Sequence, residues 1–191
     1  MEALTAFAYR LLEPQLKGRA AIIDFPVVTL VLGGARSGKS RHAEQLTMLH
    51  PAPWIYIATG QPFDDEMRAR IAEHQSRREP GWRTVETPID LPDVLVRAAG
   101  SPALVDCLTL WLTNLMLGDH DVPAAVARLE TALAARTAPT ILVGNEVGLG
   151  IVPETPLGRL FRDEAGRLNQ RIAARAGRVL FMVAGLPMTV K

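Results

Sequence analysis

The sequence predicts an α/β fold in three layers, a mainly parallel sheet with helices on both faces. Two observations carry that expectation. Six short runs rich in β-branched and aromatic residues ("PVVTLVL", "WIYIAT", "WRTVET", "ALVDCL", "TILVG" and "RVLFMVAG") alternate with helical stretches in a βα rhythm. Between the first run and the first helical stretch stands "GGARSGKS", and its spacing, Gly33-x-x-x-x-Gly38-Lys39-Ser40, in a strand-to-helix setting marks a phosphate-binding loop. The fold expected from the two together is P-loop NTPase-like.

Each part of that loop has a physical task. Glycines at 33, 34 and 38 allow close approaches and backbone angles that let successive N–H groups face an anion. The cradle comprises Gly33, Gly34, Ala35, Arg36, Ser37, Gly38, Lys39 and Ser40, and the positive end of the helix that follows adds to it. Lys39 is placed to reach the β- and γ-phosphates, and the Ser40 hydroxyl to ligate Mg²⁺.

The remaining elements are set by punctuation. Helices are expected over Ser40 to Leu49, Asp64 to about Glu79 before Pro80, Leu91 to Ala99, Leu108 to Leu117, Ala124 to Arg136 and Leu157 to Ala176. In such sheets ligands bind beyond the carboxyl ends of the strands, so the loops after each strand are where chemistry belongs. Asp106 ends the run "PALVD", where a carboxylate either caps the helix "LTLWLTNL" or holds Mg²⁺; the phosphate loop upstream favours the metal. Asn145 and Glu146 follow the strand "TILVG" and face the same edge. Arg159, Arg162 and Arg167, on the long helix after it, can meet a phosphate but are more at home in helix-surface salt bridges.

His74 shares a helical face with Met67 and Ile71, a pattern that fits a core histidine as well as a nucleophile. Arg77 and Arg78 follow within a turn, able to neutralise phosphate or simply to face solvent. His42, His50 and His120 assemble no zinc spacing.

Composition excludes other classes. With 21 basic and 20 acidic residues the net charge is +1, and no basic block or aromatic-interleaved patch invites a nucleic acid. A single cysteine, Cys107, in an apolar run rules out a disulfide framework within the chain and fits a reducing cytoplasm. The segment "ALTAFAYRLL" lacks a basic flank before it, is interrupted by Arg10 and is too short to span a bilayer. Residues 1–25 are therefore expected to be an N-terminal arm packing on the domain, or an overextended start, with one domain over 26–191.

The stretches "GGARSGKSRHAEQL", "YIATGQPFDDEMRARIAEHQ", "GWRTVE", "LVDCLTLWLTNL" and "NEVGLGIVPETPLGRLFRDEAGRLNQ" resemble the bifunctional adenosylcobinamide kinase / adenosylcobinamide-phosphate guanylyltransferase family of cobalamin biosynthesis. The resemblance runs over nearly everything from Val27 onward. It implies phosphorylation of the aminopropanol hydroxyl of adenosylcobinamide by ATP or GTP, then transfer of GMP from GTP onto the resulting phosphate. It further implies Mg²⁺, a guanylyl-histidine intermediate on His74, a guanosine near Ala58, Thr59, Gly60 and Glu86, and a homotrimer with sites near subunit interfaces. A small-molecule kinase without guanylyl transfer is the alternative. Two departures stand out: the chain reads Arg78-Glu79-Pro80 where the family has Arg-Pro before the tryptophan, and the N-terminal arm has no counterpart.

Overall fold

The computed structural model describes residues 27–61 and 79–191. Seven strands form one sheet: β1 (Val28–Gly33), β2 (Trp54–Ala58), β3 (Trp82–Glu86), β4 (Ala103–Asp106), β5 (Thr140–Asn145), β6 (Arg178–Val183) and β7 (Leu186–Thr189). Their order is β3-β2-β4-β5-β1-β6-β7, and every pairing is parallel except β6 with β7. The helices are α1 (Lys39–Met48), α2 (Leu91–Arg97), α3 (Leu108–Leu117), α4 (Val122–Ala134) and α5 (Pro156–Arg175). The three-layer expectation holds. None of the described helices is long and apolar enough to cross a membrane.

Central strands bury both faces, which is why they read as continuous apolar runs. Alternate residues sort to opposite sides. Leu30, Ile57, Val105 and Leu142 join the core beneath α2 to α5, with Leu108, Trp111, Leu129 and Ile172 among the helical contributions. Val31, Leu104, Val143 and Leu180 face the other way and pack with Ala43 of α1.

Side chains cap three of the five described helices, and α1 and α2 start without one. Asp121 caps α4 by accepting from Ala124 N at 2.9 Å, and Thr155 caps α5 by accepting from Gly158 N at 3.1 Å. Those caps start α4 two residues and α5 one residue before the expected points, and α4 stops at Ala134 instead of Arg136. Helix α1 begins at Lys39 from Gly38, which has no side chain to offer. Its first-turn N–H groups are left for something else.

The last apolar run does not end the sheet. After Val183, Ala184 (φ 52°) and Gly185 (φ 83°) make a two-residue turn with the angles of a type I′ hairpin, and β7 returns antiparallel along β6. Strand β7 is exposed at all four residues and contains Pro187, so no alternating pattern announced it.

Arg136, beyond the end of α4, is another feature that composition did not reveal. It is only 5% exposed, and its guanidinium reaches the carbonyls that end α2 and precede β4. Nε donates to Thr140 Oγ1 at 2.7 Å, Nη1 to Leu95 O at 3.2 Å and to Ala98 O, and Nη2 to Ser101 O at 2.5 Å. Burial pushes this guanidinium below its ordinary pKa. Hydrogen bonds to a charged donor are each worth about 1.5–3 kcal/mol, and truncation orphans buried carbonyls. Arg136→Met is expected to lower unfolding free energy by roughly 3 kcal/mol in a urea titration; an unchanged midpoint would show that the carbonyls find water instead.

Candidate nucleotide site

Strand register brings the expected site residues to one edge. Gly33 is level with Asn145, and Asp106 pairs on one side with Val143 and on the other with Ala58, which in turn pairs with Glu86. At about 4.8 Å per strand, β1 and β4 stand about 10 Å apart with β5 between them.

The loop from β1 to α1 is compact because two glycines permit it. A Cβ at Gly33 would sit 2.6 Å from Ser37 Oγ and 2.9 Å from Met182 O, so only glycine fits there. Gly38 has φ 89°, a left-handed conformation that side chains disfavour. The loop's carbonyls are tied from outside: Gly33 O accepts from Glu146 N at 3.1 Å, and Ser37 O from Gly185 N at 3.1 Å. Gly34 O accepts from Lys39 Nζ at 2.9 Å and from Ser37 N at 3.4 Å. Among the described residues, none accepts a hydrogen bond from the N–H of Gly34, Ala35, Arg36, Gly38, Lys39 or Ser40. That is the donor array of an anion nest at a helix start. Burial pushes the Lys39 ammonium below its ordinary pKa, while the nearby Cys107 and Asp106 pull it back up. The ammonium itself is turned onto the loop's own backbone at Gly34 O.

Asp106 is half-buried, and its Oδ2 accepts from Tyr56 OH at 2.9 Å. It does not cap α3. That position belongs to Cys107, whose Sγ accepts from Leu110 N at 3.5 Å, so the capping alternative for Asp106 is displaced by the next residue. The expected strand "ALVDCL" correspondingly stops at Asp106, where the backbone turns away toward Thr59; the Asp106–Cys107 peptide is cis.

Thr59 is fully buried and its hydroxyl is wholly engaged with Cys107, accepting from its N–H at 2.8 Å and donating to its carbonyl at 2.7 Å. Gly60 lies against Leu110, where an added Cβ would meet Cδ1 at 3.2 Å. Glu86 is exposed at the end of β3, with its register partner Ala58 half-buried beside it. Asn114, which the sequence reading passed over, ties this edge together: its Nδ2 donates to Thr59 O at 2.7 Å and Pro88 O at 3.1 Å. An amide inside the otherwise apolar "LTLWLTNL" was the available signal.

The other expected residues divide. Asn145 N donates to Thr109 Oγ1 at 2.7 Å, and Glu146 turns its carboxylate to its own loop, accepting from Gly148 N at 2.7 Å. Arg167 pairs with Glu164 at 2.5 Å and Arg162 with Asp163 at 4.0 Å, while Arg159 donates to the carbonyls of Pro153 and Glu154. These are helix-surface roles. His42 sits in α1 with Nε2 buried and unpartnered among the described residues, and burial lowers its pKa. His74, Arg77 and Arg78, with the helix expected from Asp64, lie outside the described residues. An open groove of about 360 Å³, lined by Thr113, Met116, Leu117, Thr155, Leu157, Gly158 and Phe161, shares no residue with the phosphate loop.

Burial, with the Asp106 charge beside it, pushes the Cys107 thiol up to about 12. The thiol therefore stays protonated at any working pH and is no nucleophile. Iodoacetamide at pH 8.5 is expected to leave Cys107 unmodified in the native protein and to alkylate it in 6 M guanidinium chloride, as read by intact mass; fast native labelling would contradict its placement.

Residues 29–190 match the family described as cobinamide kinase / cobinamide phosphate guanyltransferase. The chain is 52% identical over 166 residues to the bifunctional adenosylcobalamin biosynthesis protein CobP of Pseudomonas aeruginosa, covering 85% of this chain and 96% of that protein. It is 44% identical over 183 residues to bifunctional adenosylcobalamin biosynthesis protein CobU of Escherichia coli K12 and 46% identical over 184 to that of Salmonella typhimurium, covering 86% of this chain and all of each relative. Among solved structures, the RadB recombinase is similar at a TM-score of 0.49 and 17% identity, covering 81% of this chain and 73% of that one. With the family match running from within β1 through the phosphate loop to beyond β7, the chain belongs to the cobinamide kinase / cobinamide phosphate guanyltransferase family.

Proposed function

We propose that this protein phosphorylates the aminopropanol hydroxyl of adenosylcobinamide with ATP or GTP. It then transfers GMP from GTP to that phosphate, giving adenosylcobinamide-GDP and pyrophosphate. The observation that carries the reading is the phosphate loop, in which the N–H groups of Gly34, Ala35, Arg36, Gly38, Lys39 and Ser40 have no acceptor among the described residues, in a chain 52% identical to a bifunctional relative. In the first step the substrate hydroxyl oxygen attacks the γ-phosphorus, its proton passes to solvent, the bond to the β-phosphate oxygen breaks, and NDP leaves. The loop N–H groups and Lys39 bind charge on the phosphate oxygens and hold the group in line.

The second step needs attack at the α-phosphorus. His74 is assigned as the nucleophile: a ring nitrogen bonds to phosphorus as the α–β bridge breaks and pyrophosphate leaves, then the phosphate of the cobinamide substrate displaces the histidine. Arg77 and Arg78 are assigned to the phosphates, and Glu86 to the guanine N1–H and N2–H₂ donors beside Ala58, Thr59 and Gly60.

Ser40 and Asp106 are assigned to Mg²⁺. Hydroxyl and carboxylate oxygens suit a hard cation that keeps waters and phosphate oxygens for its other positions, and Tyr56 holds only one Asp106 oxygen. When bound, the ion supplies charge neutralisation on the phosphates. Asp106 and Ser40 orient there, while Tyr56 fixes the carboxylate rotamer. The proposed setting is the cytoplasm. A homotrimer is proposed with the resemblance, and exposed apolar side chains at Leu117, Leu149, Ile151, Val152, Leu157 and Leu160 offer a surface for another copy.

Two outcomes test this. Asp106→Asn is expected to cut Mg²⁺-dependent turnover on the order of 100-fold while changing metal-free nucleotide binding about twofold or less; equal effects on both would make Asp106 a structural residue. Native mass spectrometry after GTP treatment should show three chains carrying GMP adducts, acid-labile and stable to alkali, absent in His74→Ala, which should keep phosphorylating adenosylcobinamide. Guanylyl transfer at the normal rate by His74→Ala would overturn the nucleophile, and phosphorylation with no guanylyl transfer in the native protein would favour the kinase-only alternative.

A further inference from the structure

The β6–β7 turn has no place in the chemistry above, yet it touches the phosphate loop twice. Gly185 N donates to Ser37 O at 3.1 Å, and a Cβ on Gly38 would lie only 3.3 Å from Gly185 Cα. Next to it, Met182 O fills the position that a Gly33 side chain would need. The hairpin and the loop are therefore packed backbone against backbone.

The consequence follows from peptide geometry. In a planar trans peptide the C=O and the N–H point in opposite directions. The Ser37–Gly38 peptide is trans. Holding Ser37 O toward the hairpin turns Gly38 N–H away from it. A carbonyl left free in this loop could rotate inward and present a negative oxygen to the phosphate.

We propose that Gly185 is a positioning residue for the nucleotide phosphates, acting through its N–H on the Ser37–Gly38 peptide to keep the Gly38 N–H directed at the bound anion. This rests on the phosphate-loop reading of the site. Gly185 has φ 83°, and a Cβ added there meets nothing within 4 Å, so the constraint on a substitution at 185 is backbone conformation and not space. Asparagine tolerates the left-handed region and a β-branched residue does not.

The test compares GTP with guanosine, which has the base but no phosphates, by calorimetry on the full chain as wild type, Gly185→Asn and Gly185→Val. Gly185→Val is expected to weaken GTP about tenfold, the worth of one net hydrogen bond to a charged group, with guanosine affinity unchanged; Gly185→Asn should stay within about threefold of wild type for both. If Gly185→Val fails to fold, a full chain with glycolate in place of Gly185, lacking only that N–H, should show the same phosphate-selective loss. GTP binding by Gly185→Val or the ester at wild-type strength, or equal loss of GTP and guanosine, overturns the proposal. Wild-type protein that binds GTP no better than guanosine would instead overturn the phosphate-loop reading beneath it.

Discussion

The level at which the parallel strands stop determines what the rest of the molecule can do. Parallel pairing fixes Gly33 beside Asn145, Asp106 beside Ala58, and Ala58 beside Glu86, so residues far apart in sequence emerge along one edge. A slip of one residue in any of these ladders would turn every side chain of that strand to the other face. Leu30 and Val31, or Val105 and Leu104, would then exchange cores, and both cores are built of buried apolar side chains. The burial that stabilises the sheet thus sets the register of the site.

Two buried polar ties convert that register into a stable edge. The reciprocal Thr59–Cys107 bonds join the chain beyond β2 to the chain beyond β4, and Asn114 reaches from α3 to the backbone after β2 and after β3. Trp111 Nε1 adds a bond to Ile89 O at 2.8 Å from the same helix. The cost of leaving any of these groups unpaired in a dry interior is what keeps the loops in place. Helix α3 thereby links the core to the edge on which Asp106 and Glu86 stand.

How much of this was legible in the sequence depends on range. The phosphate loop was, because glycine, lysine and serine occupy fixed slots between a strand and a helix. The layered sheet was too, since strands buried on both faces leave continuous apolar runs. Asp106 could be placed at its strand end, but its competitor for the cap, Cys107, could not be seen, because cysteine is a weak acceptor and its role depends on where α3 begins. Arg136 reads as an ordinary basic residue near a helix end; only the folded chain brings the α2 carbonyls to it. Strand β7 was hidden because exposed Leu186 and Met188 flank a proline, and nothing local separates such a strand from a tail.

That same short strand governs how the sheet ends. Hydrogen bonding alternates along an antiparallel hairpin, so with Val183 and Leu186 closing the turn, the backbone of Pro187 faces outward beside its partner Met182. An outward position is where an amide would recruit a strand from a neighbouring molecule. Proline has no such donor. The turn that braces the phosphate loop therefore also leads into a blunted rim, and a foreign strand extending the ladder along this side would find a gap at its second rung.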